Sequence, residues 1–163
     1  MRELGRILGG LLLVALAGCA SGVEIETSYD PLAVFPAQGT FAWADGANVI
    51  PDEVAQLGLA EILPPAVEDA LASRGWRKAA PEEANALVSY EVSVYVMTEA
   101  AAPGDDEHSR AMGSLSVALL DPKDQRRLWG GFIQADVHPS LSHEERRTRV
   151  EAALERLFKE FPP

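Results

Sequence analysis

The sequence predicts an α+β fold: an antiparallel sheet with two main amphipathic helices packed on one face as a two-layer sandwich. Three stretches carry this prediction. From Val88 to Met97 the side chains alternate strictly: Val88, Tyr90, Val92, Val94 and Val96 fall on one face, and Ser89, Glu91, Ser93, Tyr95 and Met97 on the other. That period of two belongs to a strand. Asp121-Pro122-Lys123-Asp124 then reads as a tight turn between two further alternating runs, and short turns join antiparallel neighbours. Finally, Ser142-His143-Glu144-Glu145 reads as a capping box. The helix that it opens puts Val150, Leu154, Leu157, Phe158 and Phe161 on one stripe.

The other elements follow in chain order. Val23, Ile25 and Thr27 alternate with Glu24, Glu26 and Ser28, which predicts a half-buried strand ending at Asp30-Pro31. Thr40-Phe41-Ala42-Trp43-Ala44 predicts a second short strand, closed by Asp45-Gly46. Residues 53–75 have helical periodicity broken by Pro64-Pro65. A proline disfavours the α region in the residue before it, so a clean helix is expected from about Pro65, with a shorter helical piece over 54–62. Val67, Ala70 and Leu71 form its buried side, and Gly75 is its natural cap. Trp76-Arg77-Lys78 opens a short strand, and Pro81–Asn85 is a turn. Residues 102–110 read as a polar loop. Leu115, Val117 and Leu119 mark the next strand, and Trp129, Ile133, Ala135 and Val137 its partner. Gly130-Gly131 inside that partner points to a bulge or to close approach of another backbone.

Charge and cysteine usage narrow the setting. The chain has 163 residues with 14 Lys and Arg against 25 Asp and Glu. Arg2, Arg6 and Glu3 are the charged residues before Cys19, so 12 bases face 24 acids after it. A body this acidic repels phosphate, which argues against nucleic acid as a partner. It also cannot hold an anionic membrane by charge. Cys19 is the single cysteine, so an internal disulfide is excluded.

The N-terminus explains that cysteine. After Arg2 and Arg6, Ile7 to Ala17 runs without a charge. This suits a signal-peptide core of about 7–15 residues and falls short of the roughly 20 that a spanning helix needs. Leu16-Ala17-Gly18-Cys19 resembles the lipobox of bacterial lipoproteins. The resemblance implies residues 1–18 as signal peptide, cleavage between Gly18 and Cys19, lipid attachment (palmitate among the acyl groups) at Cys19, residues 19–22 as a tether, and one domain over 23–163. Two or more acyl chains anchor a protein stably. Ala20 stands where an Asp would retain such lipoproteins in the inner membrane, which implies the periplasmic face of the outer membrane.

Further segments resemble one family in their order along the chain. They are Ser21-Gly22-Val23, Tyr29-Asp30, Thr40-Phe41-Ala42-Trp43, Ala70-Leu71-Ala72-Ser73-Arg74-Gly75-Trp76, Leu128-Trp129-Gly130 and Phe161-Pro162-Pro163. With the lipobox they resemble the bacterial envelope lipoprotein family catalogued as domain of unknown function 4136. Residues 47–66 depart from its pattern in length and proline content. The family implies a fold and a location but no activity, and no catalytic residue carries over.

Candidate chemistry is sparse. His143-Glu144 begins like a zinc HExxH motif, but position 147 is Arg. His138 and His143 could meet across the intervening turn, yet two histidines make an incomplete metal set. Asp105-Asp106-Glu107-His108 lacks the alternate spacing of a calcium loop. No nucleophile elbow or phosphate loop is present. The expectation is therefore no cofactor, no metal and no enzyme, and instead a binding or scaffolding module with an envelope protein as a possible partner. Two rivals stand beside it: an envelope hydrolase or metal-assisted enzyme built on His138, His143 or the acidic loop, and a carrier of a small hydrophobic ligand. The carrier would need a cavity between sheet and helices of about 300 Å³ or more. Tyr95, Met97, Leu120 and Phe132 can make the second sheet face apolar. Either that face meets a partner or residues 47–62 cover it.

Overall fold

A computed structural model describes residues 22–99 and 108–162. The signal segment, Cys19 and the Asp105-Asp106-Glu107 cluster lie outside the described residues. The strands are β1 (Val23–Tyr29), β2 (Thr40–Val49), β3 (Arg77–Lys78), β4 (Ala86–Glu99), β5 (His108–Leu120) and β6 (Arg127–Asp136). The two helices are α1 (Leu59–Ala72) and α2 (His143–Lys159), with short 3₁₀ turns at Asp52–Leu57 and Pro81–Glu83. The end of the expected polar loop, His108 to Arg110, is strand, paired with Met97 to Glu99.

All six strands form one sheet in the order β1-β6-β5-β4-β2-β3. The antiparallel expectation holds for β1, β6, β5 and β4. It fails for β2, which runs parallel to both β3 and β4, so the sheet is mixed. The reason is the connection. Between β2 and β4 the chain runs through the 3₁₀ turn and α1, and a crossover of that length returns the chain in the same direction. Thr40 and Asn85 pin the start of both strands. The Thr40 amide donates to Asn85 Oδ1 at 2.9 Å, and the Asn85 amide to Thr40 Oγ1 at 3.1 Å.

Helix α1 corrects the proline expectation. It begins at Leu59 and carries Pro64 and Pro65 inside its second turn. The two missing N–H groups leave the carbonyls of Ala60 and Glu61 without helical donors, but both residues are exposed and water can serve them. In return the turn buries Ile62, Leu63, Ala66 and Val67. The C-terminus is a Schellman cap. Gly75 sits at φ 79°, its amide donates to the Ala72 carbonyl at 2.9 Å, and the Trp76 amide to Leu71 at 3.1 Å. Helix α2 has the expected capping box. Glu145 N donates to Ser142 Oγ at 3.2 Å and Ser142 N to Glu145 Oε2 at 2.8 Å. The Ser142 hydroxyl, donating to Glu145 Oε2 at 2.7 Å, and then the Ser142 amide hold the Glu145 carboxyl below its ordinary range.

Both helices lie on the sheet face formed by Phe41, Val88, Tyr90, Val92, Val117, Leu119, Trp129 and Ile133. Leu154, Leu157, Phe158 and Phe161 meet it from the α2 side. Of residues 47–62, the first three end β2 and the 3₁₀ turn and start of α1 join this same layer. Val54 is core, and Arg146 of α2 donates to the Leu57 carbonyl at 3.2 Å. They therefore do not cover the second face, where Tyr95 is exposed and Met97, Leu120 and Phe132 are half-buried. Gly131 is approached closely by side chains and not by another backbone: a Cβ there would sit 2.7 Å from both Leu157 methyls. The register irregularity lies elsewhere, between Leu119 and Leu120 opposite Trp129 and Arg127, while Gly130 and Gly131 pair regularly with Ala118 and Val117.

One polar tie joins α1 to the sheet. Glu68 Oε1 accepts from Trp43 Nε1 at 2.8 Å and from Lys78 Nζ at 2.7 Å. Burial pushes the Glu68 carboxyl up, but the bonds from Lys78 and Trp43 and the Lys78 charge outweigh it, and the net shift is downward. A depressed carboxyl contributes stability above the ordinary carboxylate range and loses it as pH falls through the folded-state value. The site is partly solvated, so the contribution is at most about 1 kcal/mol. Glu68→Gln is expected to lower the urea midpoint at pH 7, with the gap to the parent closing under acid. A gap that is unchanged at pH 3 would contradict this assignment.

Candidate ligand cleft

The strands of the central hairpin outrun the helix layer. On the inner face Val92 is 5% exposed, Val94 37% and Val96 67%. Where the cover ends, an apolar cleft of about 160 Å³ opens between sheet and helices. Its floor is one row of the sheet. Val23, Ala135, Gly113 and Val94 stand in register across β1, β6, β5 and β4, and the two small residues in the middle leave the space. Leu115 and Ile133 continue the floor inward, and Leu57, Leu63, Val150 and Ala153 form the roof.

The polar lining comprises Ser114, Asp136, His138, Arg146 and Arg149. Arg146 donates to the carbonyls of Leu57 at 3.2 Å, Leu141 at 2.9 Å and Pro139 at 3.4 Å, and so is held by neutral acceptors. Arg149 lines the cleft, is exposed and makes no ion pair among the described residues. Asp136 also borders it, and Arg110 Nε lies 3.8 Å from its carboxylate.

The histidines separate in role. His138 lines the cleft, whereas His143 faces Glu61, with 3.7 Å between Nε2 and Oε2. Among the described residues no three His, Cys, Asp or Glu side chains are grouped to hold a metal. The cleft volume is about half of what a carrier enclosing a whole ligand would need. Arg146 and Arg149 were not among the sequence candidates. A signal existed: Arg146, Arg149, Val150 and Ala153 are spaced by three and four along α2 and share one stripe.

The fold and cleft define a class: a small α+β sandwich with a mixed sheet and a shallow apolar site at one end. The family model described as Domain of unknown function (DUF4136) matches residues 25–163, and the chain belongs to that family. No curated protein matches it. Among solved structures it is similar to a PDZ domain protein from Parabacteroides distasonis, at 13% identity and TM-score 0.53. That match covers 85% of this chain but 36% of the other, so the chain spans about a third of that protein. It is also similar to PelC from Paraburkholderia phytofirmans, a dodecamer, at 10% identity and TM-score 0.53, covering 83% of this chain and 94% of that one. At these identities the likeness concerns the fold alone.

Proposed function

We infer that the protein is a lipid-anchored binding module of the bacterial envelope, tethered through Cys19 on the periplasmic face of the outer membrane, without catalytic activity of its own. The observation that supports this reading is the short sequence distance from Cys19 to the first strand. The first strand begins at Val23, four residues after Cys19, and Val23 lines the cleft. Four residues span at most about 14 Å. An anchor at Cys19 therefore keeps the cleft end of the sheet close to the lipid and leaves the opposite end free for an envelope protein partner. The acidic body gives no electrostatic hold on anionic headgroups, so the attached lipid must supply the attachment.

Labelled palmitate supplied to cells should enter the parent protein, which should co-sediment with the outer membrane on a density gradient. Cys19→Ala should take up no label and leave the membrane fraction. Membrane fractionation or labelling of Cys19→Ala equal to the parent's would refute the anchor.

A further inference from the structure

We propose that the cleft binds the tail of an aliphatic carboxylate, a fatty acid, with Arg146 and Arg149 holding its head at the mouth. The proposal deepens the binding-module reading by giving it a ligand, but it does not require the anchor.

The tail follows from volume and lining. A cavity of about 150 Å³ walled by aliphatic groups stays dry and accepts a six-carbon hydrocarbon. This cleft, at about 160 Å³, is walled by Leu63, Val92, Leu115, Ile133, Val150 and Ala153. It is open on one side, so a longer chain can leave its remainder and its head outside. The head follows from charge. After Cys19 the chain carries twice as many acids as bases, yet the cleft borrows two guanidiniums from α2. Among the described residues Arg146 is bonded to carbonyls alone, so its charge is not neutralised, and Arg149 makes no ion pair. The carboxylate in the lining, Asp136, has Arg110 Nε 3.8 Å from its Oδ1, a buried oxygen without a hydrogen bond among the described residues, so the two guanidiniums are the favourable side of the cleft for an anionic head. A neutral alcohol of equal length would fill the same cleft without meeting these charges. Guanidinium and carboxylate form the stronger, charge-assisted bonds.

Equilibrium dialysis of radiolabelled carboxylates against the full-length protein tests this. Digitonin should be the detergent, since its rigid steroid is unsuited to a narrow cleft. Affinity should rise about fourfold per methylene from butanoate, the ratio set by burying one methylene, and level off once about six carbons are inside. Octanoate should bind at least tenfold more tightly than octanol. Arg149→Gln should shrink that preference, and Ala153→Leu, which fills the roof, should abolish binding while leaving the circular dichroism spectrum intact. The Cys19→Ala chain should bind octanoate as the parent does, which separates this site from the anchor. Three results would overturn the proposal: octanol binding as well as octanoate, Ala153→Leu binding at parental strength, or binding that appears only once Cys19 is removed. The last would mean that the protein's own lipid occupies the cleft.

Discussion

Trp129→Ala should lower the unfolding free energy by about 3–5 kcal/mol, a large share of the roughly 5–15 kcal/mol that holds a domain together. Trp129 is fully buried on β6. Its ring lies 5.0 Å from Phe158 and 5.3 Å from Phe161, and Phe161 in turn meets Trp76 at 5.6 Å and Phe35 at 5.3 Å. The cluster joins the sheet, the end of α2, the residue after the α1 cap and the loop that follows β1. Removing its centre leaves a cavity among rings from four segments that cannot all collapse inward. Trp129→Phe should behave differently. The indole Nε1 is buried without a hydrogen-bond partner, and an unpaired donor costs about 1–3 kcal/mol. Phenylalanine removes that donor and loses part of one ring, so the two effects offset and the net change should stay within about 1 kcal/mol. Urea unfolding followed by circular dichroism measures both. A phenylalanine variant as unstable as the alanine one would mean that the indole N–H is satisfied in solution.

What the sequence disclosed and what it hid divide along a physical line. The alternation of Val88, Tyr90 and Val92, the capping box at Ser142 and the stripe Leu154, Leu157 and Phe158 are local patterns, and each appears where expected. The parallel pairing of β2 with β4 is not local. It depends on where residues 50–85 travel, and neither strand records its partner's direction. The prolines of α1 misled because their cost is local whereas the gain is tertiary: Ile62 and Leu63 enter the core just before them. The same split holds for the cleft. Val94 and Val96 continue the pattern of Val92 without a break, and only the length of the helix layer decides that they are exposed. The helix pattern alone does not say what Arg146 and Arg149 face, because the strand rows opposite them lie more than ten residues away in sequence.

The contact between Gly131 and Leu157 gives the second large effect and a sign that can be checked. A Cβ at position 131 would lie 2.7 Å from Leu157 Cδ1 and Cδ2 and from Trp129 Cη2, closer than carbon atoms approach. Side-chain ends can often yield, but Leu157 and Trp129 are both fully enclosed, so they have nowhere to move without displacing α2. Gly131→Ala should therefore cost about 1–3 kcal/mol by overpacking. Leu157→Ala alone should cost about 2–5 kcal/mol by the opposite route, an emptied volume. Made together, the two changes answer one another: the new methyl enters space that the leucine has left. The double variant should be more stable than the sum of the single losses implies, with a coupling of about 0.5–3 kcal/mol. Strict additivity would show that the helix stands off the strand at this point. A favourable coupling would fix the α2-to-β6 spacing, and with it the roof height of the cleft, which Ala153 and Val150 form from one and two turns further back on the same helix.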